Sequence, residues 1–230
     1  MNYAEIKYSD IANGEGVRTS LFVSGCRRGC PGCFNSGAWS FAAGEAFTSE
    51  VEDKIIASLD HPFCDGLTVL GGEPMEPENQ RGLVSFLERV RERFPRCGES
   101  ASDAEGSAAA AGAMGAEGST AFAGATGAKG SPIAAAKTIW CFTGDTLDEL
   151  MPGGRHHTEV TDRLLACVDI LVDGPWVQEL YDISLRFRGS SNQRIIDLNA
   201  TRAAAAERGC SLADAVCLWQ DEQVYTTHAM

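Results

Sequence analysis

The sequence predicts an α/β fold in which parallel strands form a sheet or open barrel with helices outside. Two observations lead to this class. Short apolar runs alternate along the chain with stretches of helical periodicity. Each apolar run also enters a glycine-containing turn, as expected where ligands collect at the carboxyl ends of parallel strands.

Four strands and three helices are predicted from these patterns. The strands are expected at residues 21–25, 67–70, 138–142 and 168–172. The helices are expected at residues 49–59, 79–94 and 161–167. After the last three strands come the turns Gly71-Gly72-Glu73-Pro74, Thr143-Gly144-Asp145 and Asp173-Gly174-Pro175, and the first strand leads into a cysteine cluster.

Residues 1–199 are predicted to form one catalytic domain, because a chain of 230 residues can bury one substantial core. Residues 98–136 interrupt it, and 23 of these 39 residues are Ala or Gly. Such a segment has too few large apolar side chains to form a core, so we expect a disordered insertion. It should leave the domain opposite the carboxyl ends of the strands. Residues 200–230 are predicted to be a C-terminal extension of unknown role, with a helical pattern over 201–215.

The charge balance limits the classes of partner. Nineteen basic and 32 acidic residues give a net charge of -13, which repels polyanions and disfavours nucleic-acid binding as the main activity. The first residues lack the pattern of an export signal, and no apolar run reaches the roughly 18 residues of a membrane span. We therefore expect a soluble, cytoplasmic protein that does not bind a membrane.

Three of the nine cysteines form a compact motif, Cys26-x3-Cys30-x2-Cys33, in a loop rich in Gly and Pro. Thiolates this close can bind neighbouring irons of one cubane cluster, and the lack of a nearby fourth cysteine leaves one iron open for a substrate. The other six cysteines are interpreted as buried or incidental thiols.

A structural zinc site is the alternative, with Cys30, Cys33 and two distant ligands. No second pair of cysteines or well-spaced histidines completes such a site. The adjacent His156 and His157 lack the spacing of zinc ligands, and we expect them to be solvated loop residues. The third cysteine therefore favours the cluster.

Cys-x3-Cys-x2-Cys after an apolar strand resembles the radical S-adenosylmethionine superfamily, and more closely its activating enzymes of anaerobic ribonucleoside-triphosphate reductase. The resemblance spans residues 1–199 apart from the insertion. Neither the insertion nor the tail after residue 199 has a counterpart in the short form of this family. The motifs that carry it are Asn13-Gly14-Glu15-Gly16-Val17-Arg18, Phe22-Val23-Ser24-Gly25-Cys26, Cys30-Pro31-Gly32-Cys33-Phe34-Asn35, Gly71-Gly72-Glu73-Pro74, Thr143-Gly144 with Leu147-Asp148-Glu149-Leu150, Leu171-Val172-Asp173-Gly174, and Arg188-Gly189-Ser190-Ser191-Asn192-Gln193.

The resemblance implies a partial β/α barrel of the radical S-adenosylmethionine type that carries a [4Fe-4S] cluster on Cys26, Cys30 and Cys33. It implies reductive cleavage of S-adenosylmethionine to methionine and a 5'-deoxyadenosyl radical. That radical would remove a hydrogen from a glycine of anaerobic ribonucleoside-triphosphate reductase, with reduced flavodoxin or ferredoxin as electron donor. An activase of another glycyl-radical enzyme, of the pyruvate formate-lyase type, and a non-catalytic metal module stay open as alternatives.

Further cofactor contacts are expected around the cluster. Two glycines let a backbone approach a ligand, so Gly71, Gly72, Glu73 and Pro74 are predicted to bind S-adenosylmethionine, with Glu73 accepting hydrogen bonds from its ammonium group. An ordinary turn with a capping Glu is the alternative. The resemblance adds Gly32 and Phe34, although core packing would explain Phe34 equally well.

Other candidates have weaker patterns. Thr143, Gly144, Asp173 and Gly174 end predicted strands and are expected to line the pocket, but turn formation would also explain them. For Arg18 an exposed surface position is favoured over contact with the cofactor or the partner.

The loop containing Arg186 and Arg188 combines two cations, an aromatic residue and small polar groups. This mixture suits a protein interface near the open rim of the cleft. A solvated loop is the alternative.

Overall fold

A computed structural model describes residues 1–96 and 136–219 of the chain. Its strands are β1 (Asn2–Asp10), β2 (Arg18–Val23), β3 (Glu45–Ala46), β4 (Gly66–Gly71), β5 (Thr138–Phe142), β6 (Ile170–Asp173) and β7 (Arg194–Asp197). Its α-helices are α1 (Ser49–Leu59), α2 (Pro77–Arg93), α3 (Leu147–Leu150), α4 (Thr161–Cys167) and α5 (Leu198–Arg208). Single 3-10 turns occur at Ser36–Ala38, Gln178–Leu180 and Ala213–Ala215. The four predicted strands and three predicted helices are confirmed.

The strands form one sheet of seven in the order β3-β1-β2-β4-β5-β6-β7. Strands β2, β4, β5 and β6 lie side by side in this order and are parallel to one another. The prediction of a parallel sheet is wrong for the edges, since β1, β3 and β7 pair antiparallel. Strand β1 carries no long apolar run because it lies near an edge and is largely exposed, so periodicity did not reveal it.

The helices supply the crossover connections that parallel strands require. Helix α1 joins β2 to β4, α2 lies between β4 and β5, and α3 and α4 lie between β5 and β6. Helix α2 begins with Pro77, whose fixed φ suits a first turn, and ends with two arginines beside its negative dipole end.

The two faces of the sheet are covered differently. On one face, alternate strand residues such as Leu67, Val69 and Leu171 pack against apolar side chains of the helices in one large core. On the other face, Trp140 and Val172 belong to a smaller cluster that also contacts Phe187 and Trp219, which lie outside the strands. The second face therefore offers space for a ligand near the carboxyl ends of the parallel strands.

Arg18 is buried at the start of β2, so the expectation of a surface arginine is wrong. Its guanidinium donates to Thr68 Oγ1 at 2.7 Å and to the carbonyls of Leu67 and Thr138 at 2.7 and 2.9 Å. Burial lowers the pKa of Arg18 to about 10. The residue ties three strands together at the amino-terminal edge, far along the strand from the cysteine loop.

The chain continues past residue 199 without a break in packing. Helix α5 spans the predicted boundary between residues 199 and 200, and its Thr201 and Ala205 are buried. It ends at Arg208, so the helix predicted over 201–215 is shorter than expected. Trp219 N then donates to Ile195 O at 2.9 Å. The insertion at 98–136, apart from Ala136, and the last residues of the tail, 220–230, lie outside the described residues.

None of the helices in residues 1–96 and 136–219 is long and apolar enough to cross a membrane.

Asp169 joins α2, β5 and α5 at the buried start of β6. Its carboxylate pairs with Arg91 and accepts hydrogen bonds from Arg96 Nε at 2.8 Å and Ile139 N at 2.7 Å. Burial acts to raise the pKa of Asp169, but the nearby arginines and the Ile139 N–H together hold it below its usual value.

Replacing this buried carboxylate should destabilise the fold strongly. We expect Asp169→Ala to lower the free energy of unfolding by about 3–5 kcal/mol at pH 7, because Arg91 would stay buried without its charged partner. Urea denaturation measures the loss. Because the folded-state pKa is depressed, the difference from the wild type should shrink as pH falls below 3.8, the ordinary value for the group.

Asp53→Ala is the matched control, since Asp53 pairs with Arg89 on the surface and its side chain is 65% exposed. It should cost less than about 1 kcal/mol. An equal cost for the two variants would contradict a special role for Asp169.

Candidate active site

A cavity of about 130 Å³ opens at the carboxyl ends of the central strands. Its wall contains the three clustered cysteines, Cys26, Cys30 and Cys33, all half-buried and unpaired. The remaining wall comes from the rest of the cysteine loop and the residues just after it, from the ends of β4 and β5 with the turns that follow them, and from Trp176 and Gln193. The predicted residues found in this wall are Phe34, Gly71, Gly72, Glu73, Thr143 and Gly144.

The cysteine loop is closed at its base by backbone hydrogen bonds. Gly25 N donates to Ala38 O at 2.8 Å, and Cys26 N donates to Trp39 O at 3.0 Å. Inside the loop, Cys33 N donates to Cys30 O at 3.2 Å and forms a turn. The loop therefore starts from β2 with a defined shape and presents its three thiols to one space.

Arg27 attaches the outer side of this loop to the start of α2. Its backbone N and its Nη1 donate to the two oxygens of Glu76 at 2.8 and 2.6 Å. Its Nη2 donates to Glu78 at 2.6 Å, and this bond lowers the pKa of Glu78 to about 2. The guanidinium also lies over the ring of Phe41, at 4.3 Å.

Arg28 attaches the inner side of the loop to two strand-end turns. Its Nε donates to Glu73 at 3.3 Å and its Nη2 pairs with Asp145. Both carboxylates are buried, and the Arg28 side chain is only 12% exposed. The cation is thus held inside the protein, in the wall of the cavity.

Glu73 is already bound by four protein donors. It accepts hydrogen bonds from Thr143 Oγ1 and Gly144 N, both at 2.7 Å, from Met75 N at 3.0 Å, and from Arg28. Burial raises the pKa of Glu73, and Asp145 acts in the same direction, whereas these hydrogen bonds oppose the shift. Binding of an ammonium group there would require one donor to leave, because a carboxylate offers about four acceptor positions.

Asp145 extends the network to the segment after α3. His156 Nδ1 lies 2.6 Å from Asp145 Oδ2, and the imidazole is 12% exposed. The expectation that His156 is a solvated loop residue is therefore wrong. His157 is half-buried and its Nε2 lies 3.5 Å from Asp162. His156 thus holds Asp145 in the site, whereas His157 contacts its local surroundings.

Two glycines permit close approach between protein segments. A Cβ at Gly72 would lie 2.6 Å from Gly25 O, and a Cβ at Gly144 would lie 2.6 Å from Arg28 Cδ. Side chains at either position would push the turns away from the cysteine loop. Packing of the protein against itself is thus sufficient to explain why glycine occupies these positions.

Asn79, in the first turn of α2, is a site residue that sequence reasoning missed. Its Nδ2 donates to the carbonyls of Ser24, Gly25 and Glu73 at 3.1, 3.3 and 2.9 Å. The side chain is fully buried. It holds the start of the cysteine loop against the turn after β4, and a polar residue inside an apolar helical pattern was the available signal.

Phe34 projects at the cavity mouth and is 79% exposed, so the core-packing interpretation is wrong. Its ring lies 6.4 Å from that of Trp176 in an edge arrangement. Trp176 Nε1 donates to Pro31 O at 2.9 Å and so connects the segment after β6 to the cysteine loop. Sequence reasoning missed Trp176, although it follows a predicted strand-end turn.

Several predicted residues do not reach the cavity wall. Asp173 is fully buried and pairs with Arg194, whose Nε lies 2.9 Å away. Its other oxygen accepts a hydrogen bond from Leu147 N at 2.8 Å. The expectation that Asp173 lines the pocket is therefore wrong, and its role here is to fix the start of α3. The others outside the wall are Gly32, Pro74 and Gly174.

A second cavity of about 290 Å³ adjoins the first. The two share wall residues that include Phe34, Trp176 and Gln193. The second is also lined by Phe187 and Arg188, from the loop predicted to form an interface. This loop therefore lies beside the cysteine cavity, as expected for a segment at its rim.

The residues present suit an iron-sulfur cluster better than a single ion. Three free thiols converge on one cavity, and each thiolate of a cubane binds a different iron. Within residues 1–96 and 136–219, no group of three or more His, Cys, Asp or Glu side chains could hold one metal ion together. The donors that a tetrahedral zinc site needs are thus not assembled in this part of the chain.

Comparison with known proteins agrees with this chemistry. Residues 12–101 and 128–196 match the family described as 4Fe-4S single cluster domain. An anaerobic ribonucleoside-triphosphate reductase-activating protein of Haemophilus influenzae is 34% identical over 197 residues, 85% of this chain and 97% of the relative. The protein of the same name from Escherichia coli is 33% identical over 195 residues, covering 84% and 96%. That of phage T4 is 27% identical over 195 residues, covering 85% and 93%.

The fold and the site thus define a protein with a single 4Fe-4S cluster domain. Within that class, the chain belongs to the family of anaerobic ribonucleoside-triphosphate reductase-activating proteins.

The contacts of Asn79 lead to a stability prediction. We expect Asn79→Ala to lower the free energy of unfolding by about 1–3 kcal/mol, because the carbonyls of Ser24, Gly25 and Glu73 each lose one hydrogen-bond donor. Urea denaturation of the metal-free protein measures this cost. Asn192→Ala is the control, since Asn192 is exposed and donates to one carbonyl, that of Pro175. A change below about 0.5 kcal/mol is expected there, and similar costs for both variants would argue against the proposed anchoring.

Proposed function

We propose that this protein activates anaerobic ribonucleoside-triphosphate reductase by generating a glycyl radical on it. The observation that carries the proposal is the convergence of Cys26, Cys30 and Cys33 on one open cavity at the strand ends. The names of relatives that cover most of the chain support the choice of reductase. We further propose that the protein is a radical S-adenosylmethionine enzyme and that its sheet is a partial barrel of that type.

Cys26, Cys30 and Cys33 would hold a [4Fe-4S] cluster through three irons and leave the fourth for S-adenosylmethionine. When bound, the cluster would supply one electron to the sulfonium, breaking a carbon-sulfur bond to leave methionine and a 5'-deoxyadenosyl radical that takes a hydrogen from the partner's glycine. The chain itself binds and orients these groups. Arg27, Arg28 and Asn79 fix the loop, and Phe34 and Trp176 contact each other at the cavity mouth.

Gly71, Gly72 and Glu73 lie in the cavity wall and are proposed to face the bound S-adenosylmethionine. Thr143 and Gly144 would contact it from the next strand end. Pro74 and Gly32 would act by shaping their loops. Their positions beside the thiols support these roles, which binding measurements on single variants can test.

The physiological setting is also proposed. Reduced flavodoxin or ferredoxin would supply the electron, and the cytoplasm would supply the reducing conditions that keep the three cysteines free of disulfides. Pyruvate formate-lyase is the alternative protein substrate, because the same chemistry could act on another glycine. The names of the relatives favour the reductase.

The first test is cleavage of the cofactor. After anaerobic reconstitution with iron and sulfide, reduction in the presence of S-adenosylmethionine should release 5'-deoxyadenosine, measured by chromatography. Product should fall at least about a thousandfold in the Cys26→Ala, Cys30→Ala, Cys33→Ala triple variant, because the open cluster carries the hard chemistry.

Cys210→Ala with Cys217→Ala is the matched control, since both residues lie in the tail, outside the cavity wall. This variant should release product at the wild-type rate. A wild-type protein with a full cluster but no product, even with reductase present, would refute the enzymatic proposal and favour a metal module. Glycyl-radical signals on added reductase or pyruvate formate-lyase distinguish the two protein substrates.

A second test concerns the rim. We expect Arg186→Glu with Arg188→Glu to slow activation of the reductase about tenfold, because reversed rim charges slow association. Release of 5'-deoxyadenosine without the partner should change far less. Arg81→Glu with Arg163→Glu reverses two surface charges away from the cavity and is the control. Unchanged activation in the rim variant would count against this surface.

A further inference from the structure

We infer that Arg28 is a positioning residue whose buried charge sets the reduction potential of the cluster on the neighbouring cysteines. The inference rests on the proposed function, because it requires that a cluster is bound. Arg28 stands between Cys26 and Cys30 in the chain, and its side chain lies in the wall of the cavity that those thiols share.

The guanidinium is fixed from two directions. Glu73 accepts from its Nε at 3.3 Å, and Asp145 pairs with its Nη2. The two carboxylates come from the turns after β4 and β5, so they hold the cation to the sheet rather than to a mobile surface. Gly144 lies directly against Arg28, with no room for a side chain between them.

The carboxylates are themselves immobilised. Glu73 is bound by Thr143, Met75 and Gly144, and Asp145 by His156, as described above. Neither side chain can follow Arg28 outward without breaking these bonds. The cation therefore has one favoured position, beside the thiols, whereas its neighbour Arg27 is directed outward and is 55% exposed.

A charge held in this way acts strongly on its surroundings. Arg28 is 12% exposed, and charges interact more strongly away from water. Arg28 lines the same cavity as Cys26, Cys30 and Cys33, so its charge lies beside the proposed cluster ligands. Net charge and hydrogen bonds to sulfur both set the potential of an iron-sulfur cluster.

The sign of the effect follows from the charges. A cluster becomes more negative when it accepts an electron, so a nearby cation favours reduction. Removing the Arg28 charge would leave two buried carboxylates, Glu73 and Asp145, beside the cluster and would make reduction harder. Removing the Asp145 charge should have the opposite effect. A purely mechanical role in holding the loop would not produce opposite signs.

The experiment compares four full-length proteins after anaerobic reconstitution: wild type, Arg28→Gln, Asp145→Asn and the double variant. The midpoint potential is measured by redox titration followed by electron paramagnetic resonance, and iron content is measured separately. Arg28→Gln should shift the potential downward by at least about 59 mV, a tenfold fall in the reduced-to-oxidised ratio at a fixed potential. Asp145→Asn should shift it upward, and the double variant should return close to the wild type.

Arg28→Lys keeps the charge and should recover most of the potential lost in Arg28→Gln. Arg163→Gln, which removes a cation from a surface pair with Glu88, should leave the potential unchanged. A fully loaded Arg28→Gln with the wild-type potential, or shifts of the same sign in Arg28→Gln and Asp145→Asn, would overturn the inference.

Variants that load poorly are also informative. If Arg28→Gln binds too little iron to titrate, the midpoint potential of Asp145→Asn tests the inference instead. An upward shift of that potential supports the inference, and any other result overturns it. Failure of the wild type to load iron would instead refute the proposed cluster, so the two failures are distinguishable.

Discussion

The guanidinium of Arg28 lies between two buried carboxylates, Glu73 and Asp145, and the geometry of the site depends on this contact. A buried ion pair gains little net stability over apolar packing, but loss of one member leaves an uncompensated charge and is costly. Besides its electrostatic effect, this contact has a geometric effect. It requires the cysteine loop and the turns after two neighbouring parallel strands to meet at one place. The cavity wall forms where those three segments meet.

The sheet makes this meeting possible. Parallel strands place their carboxyl ends at one edge, so the cysteine loop after β2, the turn after β4 and the turn after β5 become neighbours although they are far apart in the chain. Helices cover one face, and a smaller apolar cluster that includes Phe187 and Trp219 lies on the other. A ligand can therefore approach the strand ends from that side. The antiparallel strands at both edges widen the sheet without contributing to the cavity wall.

Local sequence patterns predicted much of the architecture because strands β2, β4, β5 and β6 are buried on both faces and read as apolar runs. Partly exposed strands such as β1 and β7 lack that signal. Local patterns also failed to predict the burial of charged residues. Arginine is usually a surface residue, yet inside the protein the Arg18 guanidinium donates hydrogen bonds to a hydroxyl and to carbonyls of the two strands that follow β2 in the sheet. Nothing in its local sequence indicates those distant acceptors.

The sequence by itself indicated that one loop binds metal. Three thiols spaced within a short loop must stay close in any fold, and they have few uses other than binding iron or zinc. Only the tertiary structure decided which groups surround them. Glu73 was predicted from its motif, but its hydrogen bonds with Arg28, Thr143 and Gly144 join segments that lie 45, 70 and 71 residues away in the chain. Asn79, Trp176 and His156 joined the site in the same way. Strand order and side-chain direction determine which distant residues contact the site, and short-range sequence patterns carry no information about either.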